Sequence, residues 1–237
     1  MSHEVKLHEA QTAILRELLF MRQAAFAQLQ KPTGLTSDHF TFHVNRLLEL
    51  GFVERPTRGA YGLTTSGKEY ANRLDTDERT VERQGKVAVL VVPRRLRSDG
   101  GPEYMVQRRL KQPFWGFYCF MTGKLRWGES VTEGAARELH EETGLKADLE
   151  VKAIYHKMDY ATNGALLEDK HFYVIAAQQP RGDFTEEFEG GENAWFTVAE
   201  IRKLDPSFAG MDKVAETVEA DGMQFLEKQF EYTMEEY

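Results

Sequence analysis

The sequence predicts an α+β chain in two domains: a small helical module with a β-hairpin, then a larger helix–sheet–helix sandwich. Three observations carry that reading. Up to Leu74, apolar residues recur at helical spacing, apart from two short β-like runs around a Pro/Gly turn. From Val87 onward, strand-like and helix-like stretches alternate. Between them, residues 75–84 (DTDERTVERQ) are polar with almost no apolar side chain, as expected of a helix end or a linker. The expected domains are residues 1–78 and 84–237.

In the first part, Ala10, Ile14, Leu15, Leu18 and Leu19 mark one helix. A short second helix covers about Ala24 to Leu29, and Pro32-Thr33-Gly34 breaks the chain after it. A third starts at Thr36 or Ser37, carries Phe42, Val44, Leu47 and Leu48, and stops at Gly51. Phe52–Arg55 and Tyr61–Thr64 then form a hairpin with Pro56 and Gly59 in its turn. A last helix runs from near Ser66 toward Leu74.

In the second part, Val87–Val92 and Glu103–Arg109 are strands around a Ser-Asp-Gly-Gly-Pro turn, and Phe117–Met121 is a third. Ala147–Tyr160 and His171–Ala177 make a long hairpin around Thr162-Asn163-Gly164. Ala194–Phe196 is a late strand and Val198–Ile201 a helix start. Asp212–Lys228 is amphipathic and is expected to close the domain as a helix.

Composition bounds the function. With 237 residues, 41% of them hydrophobic, the chain can bury a proper core. The net charge of −8 speaks against a generally sticky nucleic-acid binder. All of it lies after residue 83: the first 83 residues balance at 11 basic against 11 acidic. The single cysteine, Cys119, excludes an intrachain disulfide and a cysteine-rich zinc site, and fits a small apolar residue in a strand. The longest aliphatic run, Val87–Val92, is too short to span a bilayer, and MSHEVKLHEA lacks the pattern of a signal peptide. A reducing, cytoplasmic setting without membrane attachment is expected.

The stretch that organises the chain is GKLRWGESVTEGAARELHEETGL, Gly123 to Leu145. It reads as a loop, a helix and a glycine stop. Ser130 with Glu133 forms a capping box, and Gly144 suits a left-handed helix end. Glu138, Glu141 and Glu142 share one helix face at i+3 and i+4. Like charges at that spacing destabilise a helix unless something binds them, and hard divalent cations take such oxygen ligands.

The spacing G-x5-E-x7-R-E-(apolar)-x-E-E-x-G-(apolar) resembles the Nudix box with every fixed position filled. The Nudix resemblance covers about residues 84–205. It implies an α/β/α sandwich around a mixed sheet and hydrolysis of a nucleoside diphosphate linked to another moiety. It also implies Mg²⁺, with Mn²⁺ as an alternative, held by Gly123, Glu138, Glu141 and Glu142. Arg137 would hold a catalytic carboxylate, with Glu138 and Glu141 also catalytic and Glu129 behind them or on a further metal. One feature departs from the family: Met121-Thr122-Gly123 stands where Pro-Gly-Gly usually leads into the box. The general base is expected in the later acidic loop, with Glu189 the choice among Glu186, Glu187, Glu189 and Glu192. Arg108 (or Arg109 or Lys111), Lys124 and Arg126 are expected at substrate phosphates. Arg108 and Arg109 cannot share a face. Phe117, with Trp115 and Tyr118, is expected to stack on a base.

The first part resembles a winged helix-turn-helix, strengthened by RLLELGFVER at Arg46–Arg55 and LTTSGKEYANRL at Leu63–Leu74. In such modules the third helix enters the major groove. The resemblance makes His39, His43, Asn45 and Arg46, with Arg58 on the wing, the candidate contacts to double-stranded DNA. Its neutral charge leaves dimerisation or partner docking equally open. Three functions follow: a pyrophosphohydrolase whose winged helix serves DNA binding or homodimer assembly, a transcription regulator sensing a nucleotide such as ADP-ribose, and a binding module with a dead site. The complete set of box residues argues against the last.

Overall fold

A computed structural model describes residues 7–74 and 84–237. Of the stretch read as helix end or linker, residues 75–84, all but Gln84 lies outside them. The chain divides into two compact units, residues 1–83 and 84–237.

In the first unit, α1 (Glu9–Leu19) is capped by His8, whose Nδ1 accepts from the Ala10 amide. β1 (Ala24–Ala25) leads into α2 (Phe26–Thr33), and α3 (Ser37–Glu49) follows. β2 (Val53–Glu54), β3 (Ala60–Leu63) and α4 (Thr65–Ala71) complete the unit. The strands form a small antiparallel sheet in the order β1-β3-β2. Ile14, Leu18, Leu29, Phe40, Val44 and Leu63 lie in its core. Two details differ from expectation. Pro32 sits within the last turn of α2 rather than beyond it. Ala24 and Ala25 pair with Tyr61 and Ala60 rather than starting the helix.

The second unit is built on a nine-stranded sheet. In chain order it contains β4 (Lys86–Leu96), β5 (Pro102–Arg109), β6 (Tyr118–Cys119) and β7 (Met121–Lys124). Then come α5 (Val131–Thr143), β8 (Leu145–Ala161) and β9 (Leu166–Gly182). β10 (Glu187–Phe188), β11 (Gly191–Phe196), α6 (Val198–Ile201), α7 (Met211–Glu219) and β12 (Gln224–Tyr232) finish it. The order is β10-β11-β5-β4-β9-β8-β12, with β6 on β5 and β7 on β4. The sheet is mixed: β4 with β9 and β8 with β12 are parallel, and the other pairs are antiparallel. One core packs Val89, Met105, Leu139 and Ile175 around α5. The other packs Leu90, Val106, Val174 and Val214 around α7.

Two expectations are corrected here. The predicted strand Phe117–Met121 is broken at Phe120, because its halves pair with different neighbours. β6 pairs with β5 and β7 with β4, where those two strands diverge after pairing only over Arg94–Leu96. The predicted closing helix Asp212–Lys228 ends at Glu219. Ala220 is extended and Gly222 takes a positive φ of 73°. The chain then turns into β12, whose Leu226 and Phe230 pack against the core around α7.

Candidate active site

The site is assembled by α5 and the β7 strand before it. Ser130 and Glu133 form the reciprocal cap that starts α5. Gly144, at φ 73°, ends it, and a Cβ there would lie 2.3 Å from the Asp183 carbonyl. Glu138 packs onto Gly123 so closely that a Cβ on Gly123 would sit 1.9 Å from the Glu138 carboxyl carbon. Glycine at 123 is therefore demanded by the approach of a carboxylate to the strand backbone.

Arg137 binds the carboxylates together. Its Nε and Nη2 donate to the two oxygens of Glu129 at 2.7 and 2.9 Å. Nη1 donates to Glu138 at 2.7 Å and Glu141 at 3.2 Å, and Nη2 also reaches the Lys124 carbonyl at 3.1 Å. Three carboxylates therefore share one guanidinium, the strongest kind of hydrogen bond available to them. Arg137 is the main reason that the Glu129 carboxyl is held down at about 2. Arg126 adds a contact to Glu141 at 3.3 Å.

Glu142 is held differently. The Gln107 amide donates to its carboxylate at 2.8 Å, and Lys111 stands 4.0 Å away. Burial raises its pKa against those partners. Asn193, only 4% exposed, completes this arrangement. Its Nδ2 donates to the carbonyls of Glu142 (2.8 Å) and Thr185 (2.9 Å), and its Oδ1 accepts from Gln107 at 3.1 Å.

Glu138, Glu142, Gly123 and Lys124 are among the residues that line a cavity of about 530 Å³, within the range of small-molecule sites. Much of its wall is apolar, including Leu90, Phe114, Phe172 and Val214. Arg109, Lys111, Lys86, Lys157 and Lys170 also line it. Lys86, Lys170 and Lys157 stand at one register across β4, β9 and β8. Buried Glu168 answers two of them, at 2.7 Å from Lys86 and 3.6 Å from Lys170. Asp159, with no exposed surface, pairs with Lys157.

Glu138 and Glu141, drawn together by Arg137 with Glu138 against the bare Gly123 backbone, offer oxygen-only donors of the kind a hard divalent cation takes.

Several expected residues stand elsewhere. Arg108 does not line the cavity: it faces Glu192 on β11 at 3.6 Å, and Arg109 takes the inward position because neighbours on a strand alternate. Phe117 is 3% exposed and packs against Phe114 and Phe208, so it is core and cannot stack on a base; Phe114 and Phe208 meet the cavity instead. Glu189 is exposed in the turn between β10 and β11 and is not part of the cavity wall. Arg126 contacts Glu141 without lining the cavity.

In the first unit, the His43 ring is half-buried and stacks on His8 at 4.5 Å, beside the start of α1. His39 and Arg58 are exposed, Asn45 accepts from Arg55 at 3.3 Å, and Arg46 pairs with Glu49 at 2.9 Å.

Sequence reasoning missed Gln107, Asn193, Lys86, Lys157, Lys170 and Glu168. A cross-strand register brings the lysines together, and nothing local signals it.

A helix bearing three carboxylates, two of them held by one arginine, and laid against a mixed sheet beside a cationic cavity defines a hydrolase of phosphoric anhydride bonds. The NUDIX domain family matches residues 85–218, and the chain belongs to that family. Its fold is similar to the crystal structure of MutT from Bacillus halodurans, with a TM-score of 0.50 and 22% identity over 64% of this chain and 93% of that one. It is also similar to the NUDIX domain of Shewanella oneidensis NrtR complexed with ADP ribose, with a TM-score of 0.50 and 16% identity over 66% and 97% of the two chains. Among the described residues, no helix is long and apolar enough to cross a membrane.

Proposed function

We propose that the second unit is a Mg²⁺-dependent pyrophosphohydrolase, with Mn²⁺ as an alternative ion, cleaving a nucleoside diphosphate linked to another moiety. The observation that carries this is the Arg137-centred carboxylate cluster beside a cavity lined by six cationic side chains. Glu138, Glu141 and Glu142, with the Gly123 carbonyl, would hold the ion. When bound, such an ion neutralises phosphate oxygens and lowers the pKa of attacking water. The chain's own residues do the rest. Arg137 holds the carboxylates of Glu129, Glu138 and Glu141 close together. Lys111 and Arg109 are placed to receive phosphate oxygens, and the apolar wall excludes water around the nucleoside or its partner group. Glu189 is proposed as the general base, reaching the substrate from its exposed turn.

The first unit is proposed as a winged helix-turn-helix that serves assembly or DNA binding. Assembly is favoured by the outward face of α3, where Phe42 is 68% exposed between the acidic Asp38 and Glu49. In the DNA reading, the contacts are His39, His43, Asn45, Arg46 and Arg58. ADP-ribose, the ligand of the NrtR domain, is the first compound to test. A nucleotide panel with Mg²⁺ is expected to yield turnover that Glu141→Gln and Glu142→Gln each lower by orders of magnitude. Wild-type rates in both variants would remove the metal assignment. Enrichment of one DNA sequence from a random pool, with affinity shifted by a nucleotide, would support the sensor reading; no enrichment leaves assembly.

A further inference from the structure

On the sheet face opposite the lysine row, β8, β9 and β12 bring four side chains to one point. His156 on β8 stands opposite His171 on β9 and beside Glu227 on β12. Residues alternate across a strand, so His156, Asp169 and His171 face away from the cavity that Lys157, Glu168 and Lys170 line. His156 Nε2 lies 2.9 Å from Asp169 Oδ1, and His171 Nε2 lies 3.9 Å from the same oxygen. One ligand atom from each of the three residues falls within 4.8 Å of the others. On its other side, His156 Nδ1 lies 2.9 Å from Glu227. Gly85, next to β4, leaves room for the group: a Cβ there would approach His171 to 2.9 Å and Asp169 to 3.0 Å.

We propose that His156, Asp169 and His171 form a second metal site, for a zinc-class divalent cation, with Glu227 orienting His156. Two imidazoles and a carboxylate are a zinc-type donor set, unlike the all-oxygen set on α5. At tetrahedral zinc, ligand atoms stand about 3.3 Å apart, given metal–nitrogen bonds of about 2.0–2.1 Å. The distances of 2.9 and 3.9 Å from the imidazoles to Asp169 bracket that spacing. The two rings are stacked at 4.1 Å with 11° between their planes, so their lone pairs run side by side. Binding opens that stack. The Glu227–His156 contact is the carboxylate–histidine–metal arrangement that fixes a ligand's tautomer and raises its basicity. In the metal-free protein His156 bridges Glu227 and Asp169 through its two ring nitrogens.

The test uses the full chain, stripped with a chelator and returned to excess Mg²⁺ so that the carboxylates on α5 are occupied. Zn²⁺ binding is followed by calorimetry, and Co²⁺ by its visible absorption. Wild type is expected to bind a single Zn²⁺ per chain that Mg²⁺ does not displace. Glu141→Gln is expected to retain it, which separates this site from the one on α5. His171→Ala, His171→Gln and His156→Ala are expected to weaken Kd by more than about 100-fold, and Glu227→Gln by about 10–100-fold. Near-ultraviolet circular dichroism identifies any variant that fails to fold, and His171→Gln preserves bulk where alanine does not. No Zn²⁺ binding by wild type in excess Mg²⁺ would overturn the proposal, as would equal affinity in folded His156 and His171 variants. Equal affinity in Glu227→Gln would overturn the orienting role.

Discussion

Replacing Asn193 by alanine should weaken the second unit more than any single exposed box carboxylate. The amide caps the C-terminal end of α5, where the Glu142 carbonyl has no partner within the helix, and it holds the Thr185 carbonyl too. Both contacts are half-buried, and Gln107, the third partner, is 5% exposed. Two half-buried acceptors left without a donor cost about 2 kcal/mol together, at the low end of the usual range for each. With a urea slope of about 2 kcal/mol per molar, the midpoint should fall by about 1 M. The assay is clean because the three tryptophans, Trp115, Trp127 and Trp195, all lie in the second unit. Their fluorescence follows that unit alone in the full chain. Asn193→Asp should cost more, since it sets a carboxylate oxygen against two carbonyls. The freed Gln107 amide would also release Glu142, so turnover should fall alongside stability. A midpoint for Asn193→Ala within about 0.3 M of wild type would refute the capping argument.

Two further outcomes are expected. Gly123→Ala puts a methyl 1.9 Å from the Glu138 carboxyl carbon, so the carboxylate must move. A displacement of that size costs about 100-fold in rate, and a variant with wild-type turnover and Mg²⁺ dependence would refute the close-approach argument. Burial pushes the Cys119 thiol up to about 11, with Arg109 opposing and Glu142 adding to it. Because the raised value keeps the thiol protonated, iodoacetamide should label the native chain about 100-fold more slowly at pH 8 than an ordinary thiol. Labelling should climb with pH toward that value, and rapid labelling at neutral pH, read by mass spectrometry, would contradict it.

What could be read from sequence follows the range of the interactions. α5 was legible end to end because its cap, its carboxylate face and its glycine stop are all local. The pair of long strands was legible from alternation and an Asn-Gly turn. β12 was not, because its amphipathic pattern satisfies both helix and strand periods. Asp221-Gly222 was the turn signal that should have divided the segment. Arg109 rather than Arg108, and Phe114 rather than Phe117, face the cavity for reasons of strand phase and irregular backbone that spacing alone does not fix. The meeting of Lys86 with Lys170 needs the β4–β9 pairing, and the Gln107–Asn193 contact needs β5 beside β11.

The topology of the sheet also has a temporal meaning. β8 and β9 are adjacent in the chain and pair along nearly their whole length, so their hairpin closes only a short loop. The two strands that flank it come from far away: Lys86 meets Lys170, and Glu227 meets His156. Closing such long loops costs entropy before contacts reward it, which slows folding. The hairpin is therefore expected to form the nucleus, with mutations in it slowing folding and mutations in β12 mainly speeding unfolding. The cavity wall built on β4, β8 and β9 would then be finished only after its frame is standing. A half-folded chain would carry the acidic helix before the cationic wall beside it is complete.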